Sequence, residues 1–295
     1  MRSATSYFNL TLYKKDMARF WPLWGLYTVI WLFVLPLNLL SQYANRFPGS
    51  RFNPLEWAGE MPVTAVAGGF GLAMAVIFGV VCAMAVWSYL YNARSANLMH
   101  SLPVRREGHF LTHYLAGASF FFLPHLLILV LTLAVEAACG GVNAGALVAA
   151  LGCQTLMCLF FFSMATACAM LTGHLLVLPV FYGVFNALVM GLAGLLDWIG
   201  AFFLYGYRGG LTSTGAVFWL TPAAAMASRF SYNYPRVTET AADGTVRTAI
   251  AAGAAPVLEG VCVLWIYAVA GVALAGIALL LYRRRRMETA GDVVS

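Results

Sequence analysis

The chain has 295 residues, of which 62% are hydrophobic and only 9% are charged, with a formal net charge of +6. Soluble domains carry about 25% charged residues, so this composition excludes an ordinary soluble protein and indicates an integral membrane protein. Several uncharged apolar runs reach the roughly 20 residues that a helix needs to cross a hydrocarbon core of about 30 Å. The runs do not alternate between apolar and polar residues, as the strands of a transmembrane barrel do.

The apolar runs predict an all-α, polytopic fold with six transmembrane helices. Five predicted spans lie within residues 20–196 and the sixth follows a longer polar interval. The six predicted spans are residues 20–40, 61–91, 110–135, 144–171, 175–196 and 256–282. Two prolines flank or interrupt the first span: Pro22 stands where a helix can begin, and Pro36 is expected to kink the helix.

Residues 1–19 precede the first span and have an amphipathic pattern, which predicts an interfacial helix lying on the membrane surface. A plain basic juxtamembrane segment is the alternative. The apolar face would carry Leu10, Tyr13, Met17, Phe20 and Trp21, and the polar face Lys15, Asp16 and Arg19.

The basic residues predict the orientation of the helices. Eleven of the 17 lie before the first span, in the loop over residues 92–109, or in the tail over residues 283–295. The positive-inside rule therefore places both termini in the cytoplasm. The net charge reflects this bias, so it is not interpreted as a nucleic-acid signal.

The same orientation makes residues 197–255 a small extracellular cap between the fifth and sixth helices. The cap begins with the aromatic, glycine-broken stretch "DWIGAFFLYGYRGG" and continues with "FWLTPAAAMASRF", a short amphipathic helical piece. Near its end, Asp243 and Gly244 stand between two β-prone arms, which predicts a hairpin.

Small residues recur at every fourth position of the second span, from Ala67 through Gly71, Ala75 and Gly79 to Ala83. This spacing gives a flat helix face that permits close helix approach. Packing within the six-helix bundle is the preferred interpretation and a dimer interface is the alternative. The "GGFG" of Gly68 to Gly71 is interpreted as part of this packing face.

Chemical motifs are sparse. Lys14 and Lys15 are the only lysines and neither follows a glycine-rich loop, so the chain has no phosphate-binding GxxxxGK[ST] motif. No acidic residue lies at the centre of a span, which argues against a carboxylate-driven transporter. The "HFLTH" of His109 to His113 lacks the glutamate of a zinc-protease motif. The sequence therefore predicts no catalytic residue, metal site or cofactor in this chain, and makes an intramembrane enzyme a minor hypothesis.

Two features of the spans bear on binding and redox chemistry. His125 is the one ionisable residue expected deep in a span, and it is either a substrate-binding residue or a histidine bonded to a neighbouring helix. The six cysteines lie in or beside apolar runs without CxxC spacing and are expected to be small buried hydrophobic residues.

The polar stretch "LMHSLPVRREGH" lies between the second and third spans. It alternates apolar residues with charged ones around a proline, which a loop needed only for topology would not require. A brief helix parallel to the membrane is expected here, with a turn capped by Ser101 before Pro103. The candidate contact residues are Leu98, Met99, Leu102, Pro103, Arg105, Arg106 and Glu107.

With this loop, the chain resembles permease subunits of ABC exporters of the ABC-2 type, in particular a group common in Gram-positive bacteria. The resemblance rests on "KKDMARFWPLW" in the entry helix, "RSANLMHSLPVRREGHF" in the loop, "WLTP" before the last span and "LYRRRRMETAGD" at the exit. It covers essentially the whole chain, and the "HSLPVRR" phrase is its most specific part.

The resemblance implies that residues 93–108 form the coupling helix that docks on a cytoplasmic ATPase. Two P-loop ATPase subunits, which bind ATP and Mg²⁺, would drive an amphipathic peptide antibiotic, lipid or drug outward across a bacterial plasma membrane. A second permease subunit, identical or related, would complete the pathway, and the four-arginine exit would lie near anionic lipid. The alternative is a membrane sensor or immunity protein that binds a toxic peptide without transporting it.

Overall fold

The computed structural model describes residues 8–45, 53–101, 104–240, 246–250 and 255–285. The described residues form mostly helices, and six helical segments are long and apolar enough to cross a membrane, as predicted. The six segments are Trp21–Ala44, Phe70–Tyr91, Arg106–Cys139, Ala144–Leu171, Val177–Phe203 and Val261–Arg284.

Shorter helices and strands surround these spans. The described α-helices in chain order are α1 (Leu10–Arg19), α2 (Trp21–Leu32), α3 (Asn38–Ala44), α4 (Pro54–Ala67), α5 (Phe70–Trp87), α6 (Ala93–His100), α7 (Arg106–Cys139), α8 (Ala144–Leu171), α9 (Val177–Phe203), α10 (Gly215–Leu220), α11 (Pro222–Arg229) and α12 (Val261–Arg284). The described strands are β1 (Ser231–Asn233), β2 (Arg236–Thr240), β3 (Val246–Ile250) and β4 (Val257–Glu259).

The first span is interrupted where the sequence places Pro36. A π-helical turn over Phe33–Leu37 contains this proline and joins α2 to α3. Proline has no N–H to donate to the preceding turn, and a wider turn accommodates that loss. The predicted disturbance of the helix at Pro36 is therefore confirmed.

The second predicted span, residues 61–91, is wrong in its first part. Helix α4 ends at Ala67 and α5 begins at Phe70, because Gly69 between them has a φ of +94°, which lies outside the helical region. A side chain at this φ would be strained, whereas glycine adopts it readily. Gly68 and Gly69 are thus a helix break, and only Gly71 of the "GGFG" stretch packs within a span.

Helix α8 forms the centre of the bundle. Every residue from Phe160 to Met170 is buried, and α4, α5, α7 and α12 all pack against this helix. The small residues of α5 face it: a Cβ added at Gly79 would lie 2.9 Å from the backbone carbon of Phe161. The preferred interpretation of the small-residue spacing, packing within one chain, is confirmed by this contact.

The interval between the fifth and sixth spans begins later than predicted. Helix α9 continues past residue 196 to Phe203, and the Asp197 carboxylate accepts hydrogen bonds from the backbone N–H groups of Gly210, Leu211 and Thr212. These bonds fold the following loop back onto the end of α9. The Tyr207 hydroxyl also donates to Asp197, and this bond raises the pKa of Tyr207.

Two small antiparallel pairs complete this interval. The predicted hairpin is confirmed: β2 pairs with β3, with Arg236 opposite Ile250 and Thr240 opposite Val246. Its predicted turn residues, Asp243 and Gly244, lie outside the described residues. Strand β1 pairs with β4, which leads directly into α12.

Candidate functional site

The connection between the second and third spans contains the short helix α6. Asn92 caps it, because the side-chain oxygen accepts a hydrogen bond from the N–H of Arg94 at 3.0 Å. The helix therefore ends before Pro103 instead of beginning at Ser101, and the Ser101 hydroxyl donates to the Leu98 carbonyl at 2.8 Å. The expected turn capped by Ser101 is corrected to a helix capped by Asn92.

The candidate contact residues are placed unequally along this connection. Leu98 is 70% exposed, whereas Met99 is half-buried and packs against the hydrophobic core. Leu102 and Pro103 lie outside the described residues. Exposed Arg94 lies on the same helix as Leu98, so α6 presents an apolar side chain beside a cation.

The charged residues that follow α6 contact the last helix. Helix α7 begins at Arg106, earlier than the predicted residue 110, with exposed Arg105 as its N-cap. The Arg106 guanidinium donates to the Arg283 carbonyl at 3.3 Å, and the Glu107 carboxylate lies 3.3 Å from the Arg283 guanidinium. The coupling candidates Arg106 and Glu107 therefore join the start of α7 to the end of α12.

Arg285 connects the exit segment to the end of α8. Its guanidinium donates two hydrogen bonds, each 2.9 Å long, to the carbonyls of Ala169 and Thr172. The last carbonyls of a helix have no partner within the helix, and a cation there also interacts favourably with the helix dipole. Burial lowers the pKa of the Arg285 guanidinium. This member of the four-arginine exit is therefore bonded to the end of α8, and the position of the exit near anionic lipid stays a prediction.

Tyrosines strengthen the same end of the bundle. The Tyr91 hydroxyl donates to the Ala169 carbonyl at 3.2 Å, so Tyr91 and Arg285 share one acceptor. The hydroxyls of Tyr89 and Tyr282 lie 3.0 Å apart and join the segment before α6 to α12.

The entry helix α1 also docks at this end. Its Asp16 is 6% exposed and forms a hydrogen bond with His113 of α7, with 2.5 Å between carboxylate oxygen and Nδ1. The Asn9 N–H donates to the Thr112 hydroxyl at 3.1 Å. The assignment of Asp16 to the polar face is therefore wrong. A helix is present over Leu10–Arg19, and its position on the membrane surface stays a prediction. A buried carboxylate needs a partner, and His113 supplies one.

These contacts define what we call the α6 end of the bundle: helices α1 and α6, the start of α7, and the ends of α8 and α12. The segments with the predicted cytoplasmic charge excess meet here. Chemically, the α6 end offers exposed cations and exposed leucines, among them Leu98 of α6, on a surface that hydrogen bonds connect to the spans.

His125 lies far from this surface, in the middle of α7, and is 3% exposed. Its Nδ1 lies 2.8 Å from the Thr155 hydroxyl oxygen, and its Nε2 lies 2.8 Å from the Tyr27 hydroxyl oxygen. Because the Thr155 proton is donated to the Leu151 carbonyl, Nδ1 is the donor to Thr155 and Nε2 accepts from Tyr27. Both ring nitrogens are thus used in bonds to neighbouring helices, as the structural alternative expected, and a substrate contact stays a prediction.

The paired histidines of "HFLTH" are both buried, and their ring centroids lie 6.3 Å apart. Among residues that the structure describes, no three His, Cys, Asp or Glu side chains are grouped to hold a metal ion. Five of the cysteines are buried free thiols as expected, but Cys262 at the start of α12 is exposed.

Comparisons with known proteins identify no relative: no protein-family model, no curated protein and no solved structure matches this chain.

Proposed function

We propose that the protein is the permease subunit of an ABC-2 type exporter in a bacterial plasma membrane. It would move an amphipathic peptide, lipid or drug outward while separate P-loop ATPase subunits hydrolyse ATP. In this proposal the α6 end faces the cytoplasm, because most basic residues lie in the segments that meet there. The interval from residue 204 to residue 260 then lies outside.

The observation that carries the proposal is the placement of α6. This helix presents exposed Leu98 and Arg94, and it lies between two spans instead of within one. A surface that combines an apolar anchor with cations suits docking in a groove on a partner with acidic rims.

The contacts around α6 support a role in transmission. On one side, Tyr91 bonds to the end of α8. On the other, Glu107 pairs with Arg283 at the end of α12. A displacement of α6 would therefore act on α8 and α12 through the contacts of the residues that flank it. Two ATPase subunits and a second permease subunit, identical or related, complete the proposed assembly.

Co-purification tests the docking surface directly. The protein is co-expressed with a separately encoded P-loop ATPase of the proposed exporter type, and the complex and its ATP turnover are measured for Leu98→Asp, Arg94→Glu and Arg105→Glu. Loss of one anchor residue in an interface costs about 2 kcal/mol or more, so we expect the Leu98→Asp complex to weaken by at least about 30-fold.

Lys14→Glu is the matched control, because Lys14 is an exposed cation on α1, at the same end of the bundle but outside α6. It should leave the complex intact. Unchanged complex and ATP turnover in all three α6-region variants would refute the docking assignment. Protection against a toxic peptide that persists without any ATPase would instead favour the sensor or immunity protein.

A further inference from the structure

A second candidate site lies at the opposite end of the bundle from α6. An apolar cavity of about 490 Å³ lies between α4, α8 and the start of α12. Its lining includes Val148, Gly152, Leu156 and Trp265, and none of the described residues that line it is charged. The volume falls within the range of small-molecule sites, which are mostly apolar with few polar groups.

A polar cavity of about 270 Å³ adjoins the apolar one, since Val257 of β4 lines both. The polar cavity is also lined by Asn233, Tyr234, Arg236 and Glu259. Asn233 donates a hydrogen bond of 3.3 Å to the Glu259 carboxylate. Among the residues that the structure describes, neither Arg236 nor Glu259 forms an ion pair, so opposite charges share one cavity without neutralising each other.

The two cavities are stacked along the helix direction. Strand β4 precedes α12, so the polar cavity lies at the ends of the spans. Gly152 lies eight residues into α8, which corresponds to a depth of about 12 Å along the helix. The pair of cavities therefore changes from charged to apolar with depth, as a phospholipid does between head group and acyl chain.

We propose that these cavities form a binding site for a zwitterionic phospholipid. The lipid phosphate pairs with Arg236, its ammonium pairs with Glu259, and one acyl chain occupies the apolar cavity beside Gly152. An anionic lipid without the ammonium leaves Glu259 unpaired near its phosphate, so the site prefers the zwitterionic head group. The site does not depend on an ATPase partner and stands apart from the proposed function.

Gly152 permits a clean test, because a Cβ added there meets no atom within 4 Å. Gly152→Leu therefore adds an apolar side chain at the lining of the cavity, with a Cβ that meets no neighbouring atom. Gly276→Leu is the matched control, since Gly276 on α12 is equally open and does not line the cavity. Native mass spectrometry of the whole protein in maltoside measures binding of phosphatidylethanolamine and of phosphatidylglycerol with the same chains.

Displacing about two methylenes from the cavity should weaken phosphatidylethanolamine binding by about tenfold in Gly152→Leu, with Gly276→Leu unchanged. The unmodified protein should prefer phosphatidylethanolamine over phosphatidylglycerol by about threefold, and Glu259→Gln should abolish that preference. Free phosphoethanolamine should not compete, because it has no chain.

Two results would overturn the proposal: equal binding of both lipids to the unmodified protein, or equal weakening by the two glycine variants. Competition by phosphoethanolamine alone would also overturn it and would indicate a site for the free head group. Photocrosslinking through a diazirine in the acyl chain needs no variant. Adducts are expected on α8 near Gly152 or on Trp265, and adducts found only elsewhere contradict the assignment.

Discussion

Replacing Arg285 with glutamine tests how the basic exit segment is used. Arg285 donates two hydrogen bonds of 2.9 Å to the carbonyls of Ala169 and Thr172, at the end of the most buried helix. Adjacent Arg284 is exposed. Arg285→Gln and Arg284→Gln remove the same charge from neighbouring positions, so their difference isolates the contribution of the two hydrogen bonds.

The expected cost follows from those bonds. A hydrogen bond to a charged group contributes about 1.5–3 kcal/mol, which gives an upper sum of about 3–6 kcal/mol for two. Arg285 is only half-buried, so solvent screening reduces this sum, and glutamine can retain one weaker bond. We therefore expect Arg285→Gln to lower the free energy of unfolding by about 2 kcal/mol and Arg284→Gln by less than about 0.5 kcal/mol.

The assay is reversible unfolding in mixed micelles, followed by tryptophan fluorescence as the denaturing detergent is increased. The measurement is repeated in uncharged and in anionic lipid. If the two variants lose equal stability, or if the loss from Arg285→Gln occurs only in anionic lipid, Arg285 acts through lipid phosphates and the helix-capping role is refuted.

Two further changes test packing and ionisation. Gly79→Ala places a methyl group 2.9 Å from the backbone of Phe161. Overpacking that costs about 1–3 kcal/mol should exceed the helix-propensity gain of about 1 kcal/mol, so the variant should be less stable in the same unfolding assay. The control Gly276→Ala should be neutral or stabilising. Burial and the hydrogen bond to Glu60 raise the pKa of Tyr234 to about 12, so its stabilising contribution is present below the ordinary tyrosine pKa of about 10 and is lost as the pH rises through about 12. In an alkaline absorbance titration, Tyr234→Phe should differ from the unmodified protein by the loss of one tyrosinate that forms near pH 12, and a loss near pH 10 instead would contradict the assignment.

The six spans could be predicted because their cause is local: a long run without charged residues has few solutions other than a helix in lipid. The break at Gly69 could not, since hydropathy treats glycine as one more small residue. The spacing from Ala67 to Ala83 looked uninterrupted, and only the backbone conformation separates α4 from α5.

The candidate surface was predicted in part. The polarity of the loop located the surface in the sequence. The start of α6 was missed, although asparagine is a common N-cap residue and the Asn92 side chain accepts a hydrogen bond from the Arg94 N–H. The burial of Asp16 depends on His113, 97 positions away, and no local pattern predicts such a pair. Arg285 was likewise interpreted as one of four equivalent arginines, because its acceptors belong to a distant helix.

The contacts at the α6 end indicate how a displacement of α6 would be transmitted to α8. Tyr91 and Arg285 both donate to the carbonyl of Ala169. Tyr91 precedes α8 in the sequence and Arg285 follows it. The 3₁₀ turn over Ser88–Tyr91, which precedes α6, and Arg285, which follows α12, therefore hold the same point on α8. Because α8 is the helix against which α4, α5, α7 and α12 all pack, a force applied to α6 would reach the centre of the bundle before it reached the peripheral α9. In the proposed exporter, coupling by this route requires the bond from Tyr91 to Ala169, so Tyr91→Phe is expected to uncouple ATP turnover from transport while leaving the proposed ATPase partner bound; unchanged coupling in this variant would refute the route.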